Sequence, residues 1–503
     1  MPEHDSISFK PSHETHPQAV PDTVASETAV RPVVASAKVL FVTSEMSDFL
    51  KAGGLGEVSA ALPRAMRGLC DVRVLMPGFP AVIQQAEKLE IVRQMMGTAA
   101  LPPWSLGRAT TRDGLVVYVV LCDELYWREG TPYGGDDGLD FHDNDIRFAR
   151  LSLCAAEIAS GEADTSWKPD IVHANDWPSA LTAGYMKWKG LDTPSIFTIH
   201  NLAYQGLFEA QRLAALGIPD AAFRMEGAEF HGKLSFLKAG VFYASHVTTV
   251  SETYAREIAT PEHGCGLEGL LADRMEAGQL TGILNGIDKS WTDLARNLKS
   301  HDDLDPWKRH HARQVRSLFA LSASEGPLFS IVSRLVHQKG IDLSISAADL
   351  IVRNGGQIVV TGRGDPSLER AVNNLARKYP GSVSARIGFD DVEARQMFAG
   401  SDFLLMPSRF EPCGLSQMYA QSLGSLPIAC RTGGLADTID DGHSGFLFLE
   451  PDKKALIKAV SRAFAVYRSK SRIARMRRNA ISKRFDWNNS AQRYLGVYST
   501  AIA

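Results

Sequence analysis

One pattern, run twice, restricts the fold more than any other feature of the chain. From Lys38 to about Ile287 short apolar runs alternate with longer amphipathic ones: "KVLFVTSE", "DVRVLMPG", "LVVYVVLCD", "PDIVHAND", "TPSIFTIHN", "HVTTVSE" and "TGILNGID". Runs that are apolar throughout, not at every second residue, belong to strands buried on both faces, as in a parallel sheet. Spaced by helical patterns, they predict doubly wound α/β layers. A polar stretch from Trp291 to Gly326, including "KSHDDLDPWKRHHARQVR", reads as a linker and a basic helix. The pattern then restarts with "PLFSIVSRL", "GQIVVTGRG", "VSARIGF", "DFLLMPSRFE" and "LPIACRTGG". The expectation is an α/β chain of two Rossmann-like domains, 37–290 and 326–470, joined by 291–325 and facing a central cleft. In such sheets ligands sit beyond the carboxyl ends of the strands.

Bulk properties narrow the function classes. A chain of 503 residues is too long for one core. With 45% apolar residues, 22% charged residues and a net charge of −3, neither nucleic acid nor an anionic membrane is expected as partner. No apolar run approaches the ~20 residues of a spanning helix. Six scattered cysteines without a CxxC pair indicate neither zinc nor a disulfide framework, and fit a reducing cytoplasm. Residues 1–36 are rich in Pro, Ser, Thr and His, carry acids and have no apolar core. They read as a disordered tail, not as a signal or transit peptide.

The chemistry concentrates after strands. "DFLKAGGLGEVSAAL" follows the first strand and opens a helix, so Lys51 beside Gly53 and Gly54 suits an anion at a helix N-terminus. "RTGGLADTI" repeats the motif in the second half. A tight connection between elements is the plain alternative for either turn. There is no Walker motif, and no GxGxxG follows the first strand, which disfavours a P-loop NTPase or a plain NAD dehydrogenase. "SRLVHQKG" sets Arg334 and Lys339 where two cations could clamp a diphosphate and stabilise a leaving phosphate. A solvated basic turn is the alternative. In "SRFEPCGLSQMYAQSLG", Glu411 could take sugar hydroxyls or merely cap a helix. "VHANDW" and "FTIHNLAYQG" end strands with His173, Asn175, Asp176, His200 and Asn201, and such a gathering favours a site over lone structural groups. The acid-rich "GGDDGLDFHDND" reads as a loop, and the basic run 468–484 as a solvated helix face with a core stripe of Ile473, Met476, Ala480 and Ile481.

Together, "KAGGLGEV", "FTIHNLAYQGLF", "SFLKAGVFYASHVTTVSETYAREI", "GLEGLL", "GILNGID", "SRLVHQKGIDL", "PSRFEPCGLSQ" and "RTGGLADT" resemble the bacterial glycogen synthase and plant starch synthase family of retaining glucosyltransferases, from Lys38 to the C-terminus. The resemblance implies the GT-B fold, with the nucleotide-sugar held mainly by the second domain and the glucan approaching from the first. A last helix, here from about Ser471, would cross back to the first domain. It implies ADP-glucose as donor, an α-glucan such as glycogen as acceptor, and no metal or other cofactor. Carried over, Lys51, Gly53 and Gly54 would meet the donor's phosphates and glucose. His200 would be the pocket histidine, Asp176 the acid of the "HDW" motif, Arg334 and Lys339 the diphosphate clamp, and Glu411 the sugar-binding carboxylate. Asn201, Asn285, Phe389, Cys413, Gly414, Leu415 and Ser416 would complete the donor pocket.

The chain departs from the family pattern in places. "HxHDW" is "HANDW", with Asn175 for the second histidine; "GGLADV" is "GGLGEV", with Glu57 for aspartate. Phe389 replaces tyrosine and is followed by Asp390, "GAGDP" is "GRGDP" with Arg363, and "SPTYA" is "SETYA" with Glu252. Competing expectations are another nucleotide-glucose or a maltodextrin acceptor, a non-catalytic glucan binder, and a nucleotide-sugar epimerase. Lys51, His200, Arg334, Lys339 and Glu411 argue against a non-catalytic binder, since unused charges carry a cost, and the acceptor-side blocks "NLAYQG" and "TYAREI" argue against an epimerase, which needs no polymer.

Overall fold

A computed structural model describes residues 37–136, 138–296 and 303–503; the expected tail, 1–36, lies outside them. The first domain contributes β1 (Lys38–Val42), β2 (Asp71–Pro77), β3 (Glu87–Met95), β4 (Trp104–Thr110), β5 (Val116–Leu121), β6 (Ile171–Asn175), β7 (Ser195–Ile199), β8 (Leu207–Glu209), β9 (Glu229–Phe230), β10 (Lys233–Ser235), β11 (His246–Thr249) and β12 (Leu280–Gly282). Its nine-stranded sheet has the order β12-β11-β7-β6-β1-β2-β5-β4-β3. All seven strands read as apolar runs pair in parallel. The antiparallel extension β5-β4-β3 was not expected. Its outer strand β3 is largely exposed and polar, as an edge strand facing water should be, so it carries no buried-strand signal. A small antiparallel sheet, β8-β10-β9, follows "NLAYQG".

The second domain has β13 (Leu328–Val332), β14 (Gln357–Gly362), β15 (Val383–Ile387), β16 (Phe403–Met406), β17 (Leu426–Cys430) and β18 (Phe446–Phe448). They pair in parallel in the order β15-β14-β13-β16-β17-β18. The chain is thus α/β with two Rossmann-like sheets, the GT-B arrangement. The basic helix Leu304–Leu318 is no free linker: Val315 is fully buried, and the Lys308 amine, also buried, donates to the carbonyls of Phe398, Ser401 and Leu423.

The C-terminal stretch differs from its expected boundary. Helix Lys470–Ser482 stays with the second domain, where Ile473, Met476 and Ala480 enter its core and Arg477 pairs with Asp402 and Asp305. Crossing begins one helix later. The Ile287 N–H donates to Phe485 O (2.7 Å), and helix Trp487–Ile502 packs on the first domain through Tyr494 and Tyr498. Burial of the Lys470–Ser482 stripe, not chain position, decides which domain keeps that helix. Among the described residues no helix is long and apolar enough to cross a membrane.

Candidate active site

The first-domain face of the cleft is built on the exits of β1, β6 and β7. After β1, the buried carboxylate of Glu45 turns back on the glycine loop. It accepts from the N–H groups of Ala52 (2.8 Å) and Gly53 (2.9 Å) and from the Tyr133 hydroxyl (2.5 Å). The loop's N–H groups at 52 and 53 are therefore held by a protein carboxylate, not presented free to an anion as the sequence suggested. Neither Glu45 nor Tyr133 was anticipated; an acid closing the run "KVLFVTSE" just ahead of the glycines was the available signal. Helix Gly54–Met66 starts directly behind. Lys51 Nζ donates to Glu57 (2.7 Å) and lies 3.7 Å from Asp391, a residue of the second domain. Burial pulls the Lys51 pKa down, but the hydrogen bond and charge of Glu57, with Asp391, outweigh it and raise it.

At the ends of β6 and β7, Asn175 Oδ1 lies 3.1 Å from His200 Nε2. Burial pulls the His200 pKa down to about 3, so the ring is neutral near pH 7. Asp176 adopts φ 59°, a backbone conformation that L-residues rarely take and that recurs at functional sites. Burial pushes its carboxyl up to about 7, against hydrogen bonds from the backbone of Trp177, Asn201 and His200. Its buried Oδ1 has no hydrogen-bond partner among the described residues. Asn201 Oδ1 accepts from the Ala203 N–H (3.1 Å), which shapes its own turn. His173 does not join the cleft. Its ring bridges the Tyr498 hydroxyl (2.7 Å) and Thr198 Oγ1 (2.6 Å), tying the final helix to the sheet.

The second-domain face rests on the exits of β13 and β16. Lys339 Nζ donates to both oxygens of Glu411 (2.8 and 2.6 Å), and Ser408 Oγ donates to one of them (2.9 Å). The cation expected at the phosphates and the carboxylate expected at the sugar are thus each other's partners. The close packing needs glycine: a Cβ on Gly340 (φ 64°) would lie 2.1 Å from Pro407 O, and one on Gly433 (φ 43°) 2.0 Å from Glu411 O. Arg334 Nη1 donates across the cleft to the Tyr204 hydroxyl (3.0 Å). Beyond Glu411, burial pushes the Cys413 thiol up to about 12, an effect that the neighbouring Asn285 of the first domain opposes. Gly414 takes φ 71°, Leu415 is the nearest neighbour to the space above Gly54, and Ser416 Oγ donates to Val332 O (3.3 Å). Phe389 is exposed, two residues from Asp391.

The second glycine turn serves a different purpose from the first. The Glu257 carboxylate, from the first domain, accepts from the Gly433 N–H (3.0 and 3.1 Å) and the Thr432 hydroxyl (3.1 Å). The Thr253 N–H and hydroxyl donate to Asp437 of the same turn (3.0 and 2.5 Å), and Ser251 Oγ donates to Pro412 O (2.6 Å). "RTGGLADT" is where the domains dock, not a second open anion site. The acid-rich loop is also better held than expected: Asp143 pairs with Arg128 (2.9 Å), and the buried Asp145 pairs with Arg212.

The family described as "Starch synthase catalytic domain" matches residues 38–273, and "Glycosyl transferases group 1" matches 319–483. The chain is 57% identical over 468 residues to a glycogen synthase of Pseudomonas savastanoi pv. phaseolicola, covering 92% of this chain and 96% of that one. It is 54% identical to glycogen synthase 1 of Bradyrhizobium diazoefficiens, covering 91% of this chain and 100% of that one. Among solved structures, the catalytic domain of starch synthase IV from Arabidopsis thaliana, bound to ADP and acarbose, superposes with a TM-score of 0.82 at 30% identity, covering 93% of this chain and 99% of that one.

Proposed function

The chain belongs to the glycogen synthase and starch synthase family of glycosyltransferases, and from that premise we propose that it moves glucose from ADP-glucose to the non-reducing end of an α-1,4-glucan, with retention of configuration and release of ADP. The reading is supported by the cations at the strand exits of both domains: Lys51 of the first lies 3.7 Å from Asp391 of the second, Arg334 of the second donates to Tyr204 of the first, and Lys339 donates to Glu411. A leaving diphosphate needs cations that are already in position before charge develops. Arg334 and Lys339 supply them from the second domain and Lys51 from the first. Neutral His200 offers hydrogen bonding to sugar hydroxyls without adding a charge. The oxocarbenium-like carbon must be kept from water, and contacts across the cleft such as Lys51 with Asp391 and Arg334 with Tyr204 bring the two faces together.

The same premise assigns the expected donor pocket: Gly54, Asn201, Asn285, Phe389 and the 413–416 loop around the glucose and nucleotide, Glu411 on sugar hydroxyls. The Gly53 N–H remains with Glu45. The test is transfer of radiolabelled glucose to glycogen from ADP-glucose and, separately, UDP-glucose, with Lys339→Ala and Glu411→Ala alongside. Incorporation from ADP-glucose that both variants abolish supports the reading. A preference for UDP-glucose overturns the donor, and no incorporation from either donor overturns the activity.

A further inference from the structure

We propose that Asn175 is a positioning residue that holds the His200 ring in one tautomer, proton on Nε2, leaving Nδ1 as the acceptor for a substrate hydroxyl. The hydroxyl's identity rests on the function proposed above; the tautomer does not.

Asn175 is fully buried, and its Nδ2 donates to two main-chain carbonyls, Val42 O at 3.1 Å and His173 O at 3.2 Å. A carbonyl cannot donate, so the amide nitrogen must face those two oxygens, and the orientation of the side chain is fixed. The amide oxygen then faces His200 Nε2 at 3.1 Å, and an amide oxygen only accepts. A neutral imidazole has a single N–H, so this contact requires it on Nε2. The backbone of Asn175 is held as well: its N–H donates to Ser179 Oγ (2.6 Å), which returns a hydrogen bond to Asn175 O (2.8 Å). The clamp thus joins three neighbouring strands, β1 through Val42, β6 through Asn175 and the exit of β7 through His200. Among the described residues the His200 ring makes no other hydrogen bond, so Nδ1 keeps its lone pair. A histidine at position 175 would have two tautomers of its own; the amide has none, and its direction does not change with pH.

The direct test reads the tautomer on the unaltered protein. Long-range 1H–15N correlation on 15N-histidine-labelled enzyme, with the His200 signal assigned by its loss in His200→Gln, should report a neutral ring protonated on Nε2 across the neutral range. Asn175→Ala should show both tautomers. Its kcat should fall by about tenfold, what roughly 1.4 kcal/mol of one lost hydrogen bond amounts to, with KM for the donor little changed. A wild-type ring protonated on Nδ1 overturns the proposal, as does an Asn175→Ala enzyme whose tautomer and kcat are those of the parent. If Asn175→Ala does not fold, the wild-type spectrum alone still decides. If the enzyme proves not to transfer glucose, the spectrum stands apart from that result.

Discussion

Replacing Glu411 by Gln keeps the side chain's shape and removes the charge facing Lys339. The two oxygens lie 2.8 and 2.6 Å from Nζ, and the side chains of Lys339 and Glu411 are 15% and 6% exposed. Removing one partner of a fully buried ion pair costs about 3–5 kcal/mol, because the remaining charge stays in a poor solvent. Residual exposure of Lys339 toward the cleft brings the figure to about 2–3 kcal/mol. For a domain of this size that lowers Tm by roughly 4–12 °C. Calorimetry measures it, and glucose transfer is measured in parallel. A second variant separates stability from catalysis: Lys339→Met with Glu411→Leu removes both charges and fills their volume. It should recover stability to within about 1 kcal/mol of the parent while transfer stays abolished, since paired charges and an apolar pair of similar volume are close in stability. Glu411→Gln melting within about 1 °C of the parent would refute the energetics. Parental transfer by the double variant would refute the placement of these two residues in the reaction.

Three further outcomes follow from the same contacts. Asp391→Asn removes the exposed, more distant partner of Lys51 and leaves its bond to Glu57, so stability should change by less than about 0.5 kcal/mol and KM for the nucleotide-sugar by less than about 2-fold; a melting curve checks the first and steady-state kinetics the second. Tyr498→Phe takes the hydroxyl from the buried His173 ring and should cost about 1–2 kcal/mol in denaturation while the rate per folded enzyme is unchanged. Asp176 binds its proton more tightly folded than unfolded, its carboxyl being raised from 3.8 to about 7, so its contribution to stability is full below the lower value and is lost as pH rises through the upper one. The stability of Asp176→Asn relative to the parent, followed by thermal melts, should therefore climb across that window and level off above it; a flat difference would refute the assignment.

What the sequence made legible follows from burial. Strands covered on both faces have to be apolar throughout, so twelve apolar runs marked strands and their parallel pairing, while β4 and the short β18 carried no such run and the strand order was not legible. The edge strand β3 escaped because water on its outer side removes that requirement. Strand exits were legible for the same reason: a polar residue ending a buried strand stands out, and Asp176, His200, Arg334 and Glu411 all lie at such ends. Partners were not legible. Nothing in spacing links Lys339 to Glu411, 72 residues on, or Glu257 to Gly433, 176 residues on. Two glycine turns that look alike in sequence are used differently because only the folded chain brings Glu45 behind one and Glu257 onto the other. His173 matches its neighbours in type but sits earlier on β6, where the final helix covers it.

Three departures from the family pattern gain meaning once their contacts are known. Glu57, longer by one methylene than the aspartate it replaces, reaches Lys51 Nζ at 2.7 Å. Asn175, in place of a histidine, orients His200. Glu252, in place of a proline, pairs with Arg493 of the crossing helix at 2.7 Å, beside the Arg493 bond to Gly282 O. Each acts on a group in or behind the cleft and not on a reacting atom: one on the cation of the first domain, one on the ring at the strand exits, one on the helix that binds the domains together. A change that altered a reacting group would have to be matched in the substrate, whereas a change in a supporting contact need only preserve a position. Reverting Glu57 to Asp should therefore shorten the reach to Lys51 and weaken donor binding with kcat nearly intact. A loss confined to kcat would mean that Glu57 faces the reaction directly, and that the supporting role assigned to these three positions fails at the one closest to the donor.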